Sequence, residues 1–177
     1  VCKSKKYADK IKRLKNYGRL TKGSYKHEEI GYNFKFNDLA ASIGVSQINK
    51  FNVIIKKKKF IDNFYRKNLK NIKQIKFSKK LRYSNPVYWF TSIQVIKKKK
   101  LKIFFKKRNI ETRDFFYPMH LQKCFVNIKD VISEKSLYKN SLKYYQNGLC
   151  LPSSANLNLD QLNYIVKNIK NFYELRN

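Results

Sequence analysis

From Phe51 to Leu69 the apolar residues Phe51, Ile54, Ile55, Ile61, Phe64, Tyr65 and Leu69 recur with a helical period of about 3.6, and from Val87 to Ile96 the period falls to about 2. A chain that switches period in this way has to lay helices on a sheet. Within the helical run Lys58 breaks the pattern, standing where an apolar residue would also have fitted. The helix is expected to begin earlier, with Asn37 or Asp38 as its cap and with Ala40, Ala41 and Gly44 small enough for another element to approach closely. The reading is a long helix, buried over its first turns and bent near Asn49 to Phe51.

In the second run Val87, Trp89, Thr91, Ile93 and Val95 alternate with Tyr88, Phe90, Ser92, Gln94 and Ile96. This β-branched and aromatic pattern predicts a strand inside a sheet. Upstream, Tyr7, Ile11 and Leu14 mark one face of a short helix that closes at Asn16-Tyr17-Gly18, where glycine supplies a left-handed cap. Downstream, 101–108 reads as helix, 110–116 as extended, 133–145 as helix and 148–152 as a strand closed by Pro152. Leu162, Ile165, Val166, Ile169, Phe172 and Tyr173 form the apolar stripe of a last helix, with Asn158 or Asp160 near its cap. The order predicts an α+β or α/β layer with at least one face of the sheet covered.

The chain has 177 residues, 42% of them apolar, enough to build a core. Its 41 basic and 11 acidic residues leave a net charge of +30. Such a charge suggests nucleic acid, yet 34 of the basic residues are Lys, and base reading favours the Arg fork. Lys, Asn, Ile, Phe and Tyr share A/T-rich codons, so a biased genome accounts for the surface without selection for binding, and any nucleic-acid binding is expected to be non-specific. The runs Lys56–Lys59 and Lys97–Lys100 are expected to flank buried elements and stay solvated. Cys2, Cys124 and Cys150 form no CxxC pair, which speaks against a disulfide framework or a zinc site. With no long apolar run and no secretion signal at Val1 to Lys6, the expectation is a soluble, cytoplasmic protein with reduced thiols.

No Gly-rich phosphate loop, GxSxG elbow or HExxH is present. Two loops stand out instead. Gly31-Tyr32-Asn33-Phe34-Lys35-Phe36 sets Asn33 and Lys35 beside aromatics just before a capped helix, an arrangement that suits a phosphate group. A hairpin-like turn with ordinary surface residues explains the same spacing. The second loop, Thr112 to His120, gathers Arg113, Tyr117 and His120, three donors to anionic oxygen, around Pro118. His120 is the better placed of the two histidines, although a lone histidine also serves structure.

At these two loops the sequence resembles the DegT/DnrJ/StrS sugar aminotransferases, pyridoxal-phosphate enzymes of the aspartate-aminotransferase fold. Gly31 to Ile48 resembles the family signature GYNYRMTxLQAAIGLAQL, Tyr7 to Gly18 the helix ending RNHG or RNYG, Ile110 to Phe125 the motif IxTRxFYPLHxQPxF, and Gly148 to Val166 the motif GLxLPSSPNLTxxDxxYIV. His27 to Asn33 looks most like the perosamine-synthase branch. The resemblance implies that Asn33, with Lys35 where Arg is common, contributes to the cofactor-phosphate site of a partner subunit in a homodimer. It implies that Arg113, Tyr117 and His120 line the site for a nucleotide-linked keto-sugar. Lys123, Phe36 and Ala155 depart from the family's usual Pro, Met and Pro.

The family's Schiff-base lysine, its aspartate under the pyridine nitrogen and its Ser/Thr phosphate loop precede the first matched helix, so the resemblance assigns no catalytic residue within the chain. The expectation is therefore the C-terminal part of a fold-type-I pyridoxal-phosphate transferase of α/β class. Residues 1–50 would be the edge of the large, cofactor-binding domain, and 51–177 the long linking helix with a small α+β domain. The parent enzyme would pass an amino group, usually from glutamate, to the sugar in cell-surface polysaccharide or antibiotic-sugar biosynthesis, and the isolated chain would be inactive. Relatives with His for the lysine are dehydratases, which leaves that reaction as an alternative. A small basic nucleic-acid-binding module and a poorly folded gene remnant are the readings from other classes.

Overall fold

The computed structural model describes residues 2–19, 26–122 and 138–174, which form two compact units, Val1–Phe51 and Asn52–Asn177. The helix expected from residue 133 is seen from its described part onward, while Cys124, Lys123 and the end of the third motif lie outside the described residues.

In the first unit α1 (Lys5–Leu14) is closed by a left-handed pair in which Tyr17 (φ +61°) precedes the expected Gly18 (φ +73°), and the Gly18 N–H donates to the Arg13 carbonyl at 2.9 Å. The chain then returns alongside the helix end. Tyr32 N–H donates to Leu14 O (2.7 Å), Tyr17 N–H to Tyr32 O (3.1 Å) and Phe34 N–H to Lys15 O (3.1 Å). Glycine is needed at both contact points, because a Cβ on Gly18 would stand 1.8 Å from the Glu29 carbonyl oxygen and one on Gly31 2.1 Å from Gly18 N. Lys10 and Arg13 of the helix pair with Glu29, and His27 Nδ1 sits 2.6 Å from the Tyr17 carbonyl, so His27 fastens this turn.

Helix α2 spans Asp38–Leu69 and runs unbroken through Asn49 to Phe51. Asn37 caps it, its Oδ1 accepting the Ala40 N–H at 2.8 Å. The expectation of burial over the first turns is corrected: Leu39, Ile43, Ile48 and Phe51 are all exposed. Apolar periodicity marks a face suited to burial and says nothing about where its cover comes from.

The second unit is built on an antiparallel sheet ordered β1-β2-β4-β3, with β1 Ile75–Phe77, β2 Thr91–Val95, β3 Arg113–Asp114 and β4 Gly148–Leu151. In register, Ile75 faces Val95, Phe77 faces Ile93, Ile93 faces Leu149 and Thr91 faces Leu151. These residues share one face of the pleat. They pack with Ile61, Tyr65 and Leu69 of α2, with Leu101 and Phe105 of α3 (Lys98–Lys106), and with Leu162, Ile165, Ile169 and Phe172 of the last helix, α5 (Leu159–Glu174). Helix α4 (Lys139–Asn147) leads into β4.

The strand predicted from Val87 is shorter than its pattern. Thr91, Ile93 and Val95 are buried as the alternation requires, but Val87 and Trp89 lie outside the ladder, 68% and 59% exposed. Helix α5 opens with a reciprocal cap, Asn158 Oδ1 accepting Gln161 N–H (2.8 Å) and Gln161 Oε1 accepting Asn158 N–H (3.0 Å). Among the described residues no helix is long and apolar enough to cross a membrane.

Candidate functional site

Arg113 lies on the edge strand β3, paired with Cys150 of β4. Its guanidinium is ringed by Phe90 at 5.4 Å, Phe116 at 5.7 Å and Trp89 at 5.8 Å, measured to the ring centroids. Stacking against aromatic faces leaves the N–H donors at the edge of the guanidinium plane available to an anion. Phe90, Thr112, Arg113, Ser153 and Ser154 line a groove of about 370 Å³. Larger grooves of about 630 and 490 Å³ flank Asn109 to Glu111 and contain none of the sequence-predicted site residues.

The other two members of this loop sit in separate aromatic settings. Tyr117 meets Tyr145 edge to face at 5.0 Å, and His120, in a short 3-10 turn (Met119–Leu121), stacks on Tyr138 at 4.5 Å. Asp114, next to Arg113, receives Lys98 (3.0 Å) and Lys102 (2.6 Å) from α3. Burial alone would raise the pKa of this carboxyl, but the hydrogen bonds and charges of Lys102 and Lys98 outweigh it and hold the group below its ordinary value. Lys98 also donates to the Tyr145 carbonyl at 2.7 Å, which ties β3 to the helix carrying the partner of Tyr117.

The walls of the Arg113 groove are fastened from below. Ser153 Oγ accepts the Thr91 N–H (2.9 Å) and donates to the Leu151 carbonyl (2.8 Å). Tyr65 of α2 donates to the Pro152 carbonyl at 2.8 Å. Lys58 donates to the carbonyls of both Trp89 (3.1 Å) and Ser153 (2.5 Å), and partial burial lowers its pKa. Lys58 is thus not one of the solvated lysines its run suggests. Its signal in the sequence is the break in an otherwise apolar helical stripe. Trp89 and Phe90 carry no comparable signal, since the same residues also suit a strand.

In the first unit the rings of Tyr32 and Phe34, on either side of Asn33 in the returning segment, stack with centroids 5.3 Å apart. Asn33 and Lys35 are exposed, with Lys35 Nζ 5.1 Å from the centroid of the Tyr17 ring. The Asn33 amide, whose backbone is held by the bridge to Asn16, and the Lys35 ammonium two residues on are donor types that fit a phosphate group.

The chain is 33% identical over 170 residues to the GDP-perosamine synthase of Vibrio cholerae, covering 93% of this chain and 45% of that protein. It is 30% identical over 176 residues to the dTDP-4-amino-4,6-dideoxy-D-glucose transaminase of Shigella dysenteriae, covering 96% of this chain and 46% of that one. The chain therefore spans about half the length of the curated relatives it matches. Among solved structures, DesV of S. venezuelae superposes with a TM-score of 0.81 at 18% identity, over 98% of this chain and 46% of that chain. The aminotransferase PseC of Helicobacter pylori superposes with 0.80 at 21% identity, over 97% and 47%. These likenesses show the fold expected from the motifs, that of the sugar aminotransferases. Residues 1–170 match the family model throughout, and the chain belongs to the DegT/DnrJ/EryC1/StrS aminotransferase family.

Proposed function

We propose that this chain supplies the nucleotide-sugar groove and a cofactor-phosphate contact of a pyridoxal-phosphate-dependent enzyme that transfers an amino group from glutamate to a nucleotide-linked keto-sugar. The likeness to GDP-perosamine synthase along 170 residues carries the reading. In the groove, the Arg113 guanidinium would pair with the sugar nucleotide's phosphates, and its aromatic collar would exclude water and offer a face to a base or sugar ring. The hydroxyls of Thr112 and Ser154 line the same groove, and Tyr117 and His120 would orient the sugar. Asn33 and Lys35 would hold the cofactor phosphate of a partner subunit in a homodimer. When bound, pyridoxal phosphate supplies the chemistry of amino exchange, with its covalent lysine provided from outside these 177 residues. The exposed apolar face of α2 at Leu39, Ile43 and Ile48 would be covered by the rest of such an enzyme. The expected setting is cytoplasmic synthesis of sugars for cell-surface polysaccharide.

The test is a chimera in which this chain replaces the matched portion of the Vibrio cholerae enzyme. Glutamate-dependent amination of a GDP-linked keto-sugar, strongly reduced by Arg113→Met, is the expected result. A folded chimera that binds cofactor but aminates no nucleotide sugar overturns the reading.

A further inference from the structure

Lys58 is the position at which the apolar stripe of α2 is broken, and in the structure it joins two segments that are far apart in sequence. Its ammonium donates to the carbonyl of Trp89, just before β2, and to the carbonyl of Ser153, just after β4. Those neighbouring segments contribute two walls, at Phe90 and at Ser153–Ser154, to the lining of the groove that holds Arg113. One wall carries Phe90, whose ring with that of the adjacent Trp89 flanks the guanidinium, and the other carries Ser153 and Ser154. A second strap joins the same segments, the Thr91 N–H to Ser153 Oγ bond just beyond the last ladder pair, and the Trp89 N–H donates to the Val87 carbonyl at 3.0 Å, so among the described contacts it is Lys58 that ties the Trp89 carbonyl to Ser153.

We propose that Lys58 is a positioning residue for the Arg113 groove: by holding the Trp89 and Ser153 carbonyls on one ammonium it sets the separation of the walls and keeps the Trp89 ring against the guanidinium. The naming of the groove's ligand as a sugar nucleotide rests on the proposed function, whereas the clamp does not. The two carbonyl acceptors suit this role, because the bonds are directional and fix backbone positions. Burial has already lowered the pKa of the amine, the mark of a group held in place at a cost in solvation. A methionine would fill the same length of the stripe and satisfy the apolar pattern, so selection for packing alone would not require lysine here.

Trp89 is the only tryptophan in the chain, so its fluorescence reads the clamp directly in the whole protein without any ligand. Lys58→Met is expected to keep the far-ultraviolet circular dichroism of the wild type while the time-resolved anisotropy of Trp89 gains a nanosecond local component. Lys58→Arg, which keeps a two-acceptor donor, is expected to restore the wild-type decay, and Lys56→Met, a neighbour in the same run, to leave it unchanged. An unchanged decay in Lys58→Met, or the same loosening in Lys56→Met, overturns the proposal. Should Lys58→Met fail to fold, Lys58→Gln takes its place, with an intermediate local component expected and an unchanged decay again decisive against the clamp. Titration of the same variants with GDP separates the two readings. Loosening with about ten-fold weaker GDP binding, the scale of one charge-assisted hydrogen bond, supports both. Loosening in a protein that binds no GDP keeps the clamp and removes the proposed ligand.

Discussion

A Cβ on Gly31 would lie 2.1 Å from the amide nitrogen of Gly18, so the backbone just ahead of Asn33 is in contact with the turn that follows α1. Neither side of that contact is a flexible side chain that could move away. Gly31→Ala is expected to open the turn and abolish hydrogen-exchange protection at the amides of Tyr17, Tyr32 and Phe34. Protection retained at those amides would show that the contact is not needed to hold the segment.

Thr91 is 1% exposed, and its Oγ1 has no hydrogen-bond partner among the described residues, while its N–H is satisfied by Ser153. Thr91→Val replaces a buried, unpartnered hydroxyl by a methyl in a strand, and is expected to raise stability by about 1 kcal/mol. Ser153→Ala removes the acceptor from a buried N–H and is expected to lower it by about 1–3 kcal/mol. Urea unfolding of the two variants checks both signs.

The Asp114 carboxyl is held below its ordinary pKa by Lys102 and Lys98. Its contribution is therefore present above the unfolded value of about 4 and is lost as the pH falls through the lower folded value. Because its side chain is 45% exposed, the pair contributes at most about 1 kcal/mol. Asp114→Asn should be the less stable protein at pH 7, and the difference should vanish in strong acid. A difference that persists there assigns the effect to packing.

Asn158 and Gln161 cap each other across the first turn of α5, whose Leu162, Ile165 and Ile169 are core residues. Asn158→Ala is expected to cost about 1 kcal/mol, read as a lower midpoint of thermal unfolding.

Much of this architecture is legible in the sequence because its signals are local. Gly18 closes α1, Asn37 caps α2, and the alternation at Thr91, Ile93 and Val95 and the stripe of α5 each name their buried face. Where the reading departs, the deciding term is tertiary. Val87 and Trp89 continue the alternation of β2 but pair with no strand among the described residues, because the facing strand β4 ends at Leu151. Strand β1 has three residues, too few to show a period. The candidate residues Arg113, Tyr117 and His120 are legible as donors, but the aromatic partner of each comes from a different part of the chain: Trp89 and Phe90, Tyr145, and Tyr138. Lys58 is visible as an anomaly, and only the fold shows which carbonyls it reaches.

Tyr65 and Tyr173 donate from helices to loop carbonyls, at Pro152 and Ile96, and burial raises the pKa of both phenols. Each fastening is secure only while its phenol stays protonated, so alkali that ionises surface tyrosines leaves these two dark at the phenolate absorption band until the core opens. The chain thus carries its own optical gauge of integrity, in which late-ionising phenols count the molecules still folded.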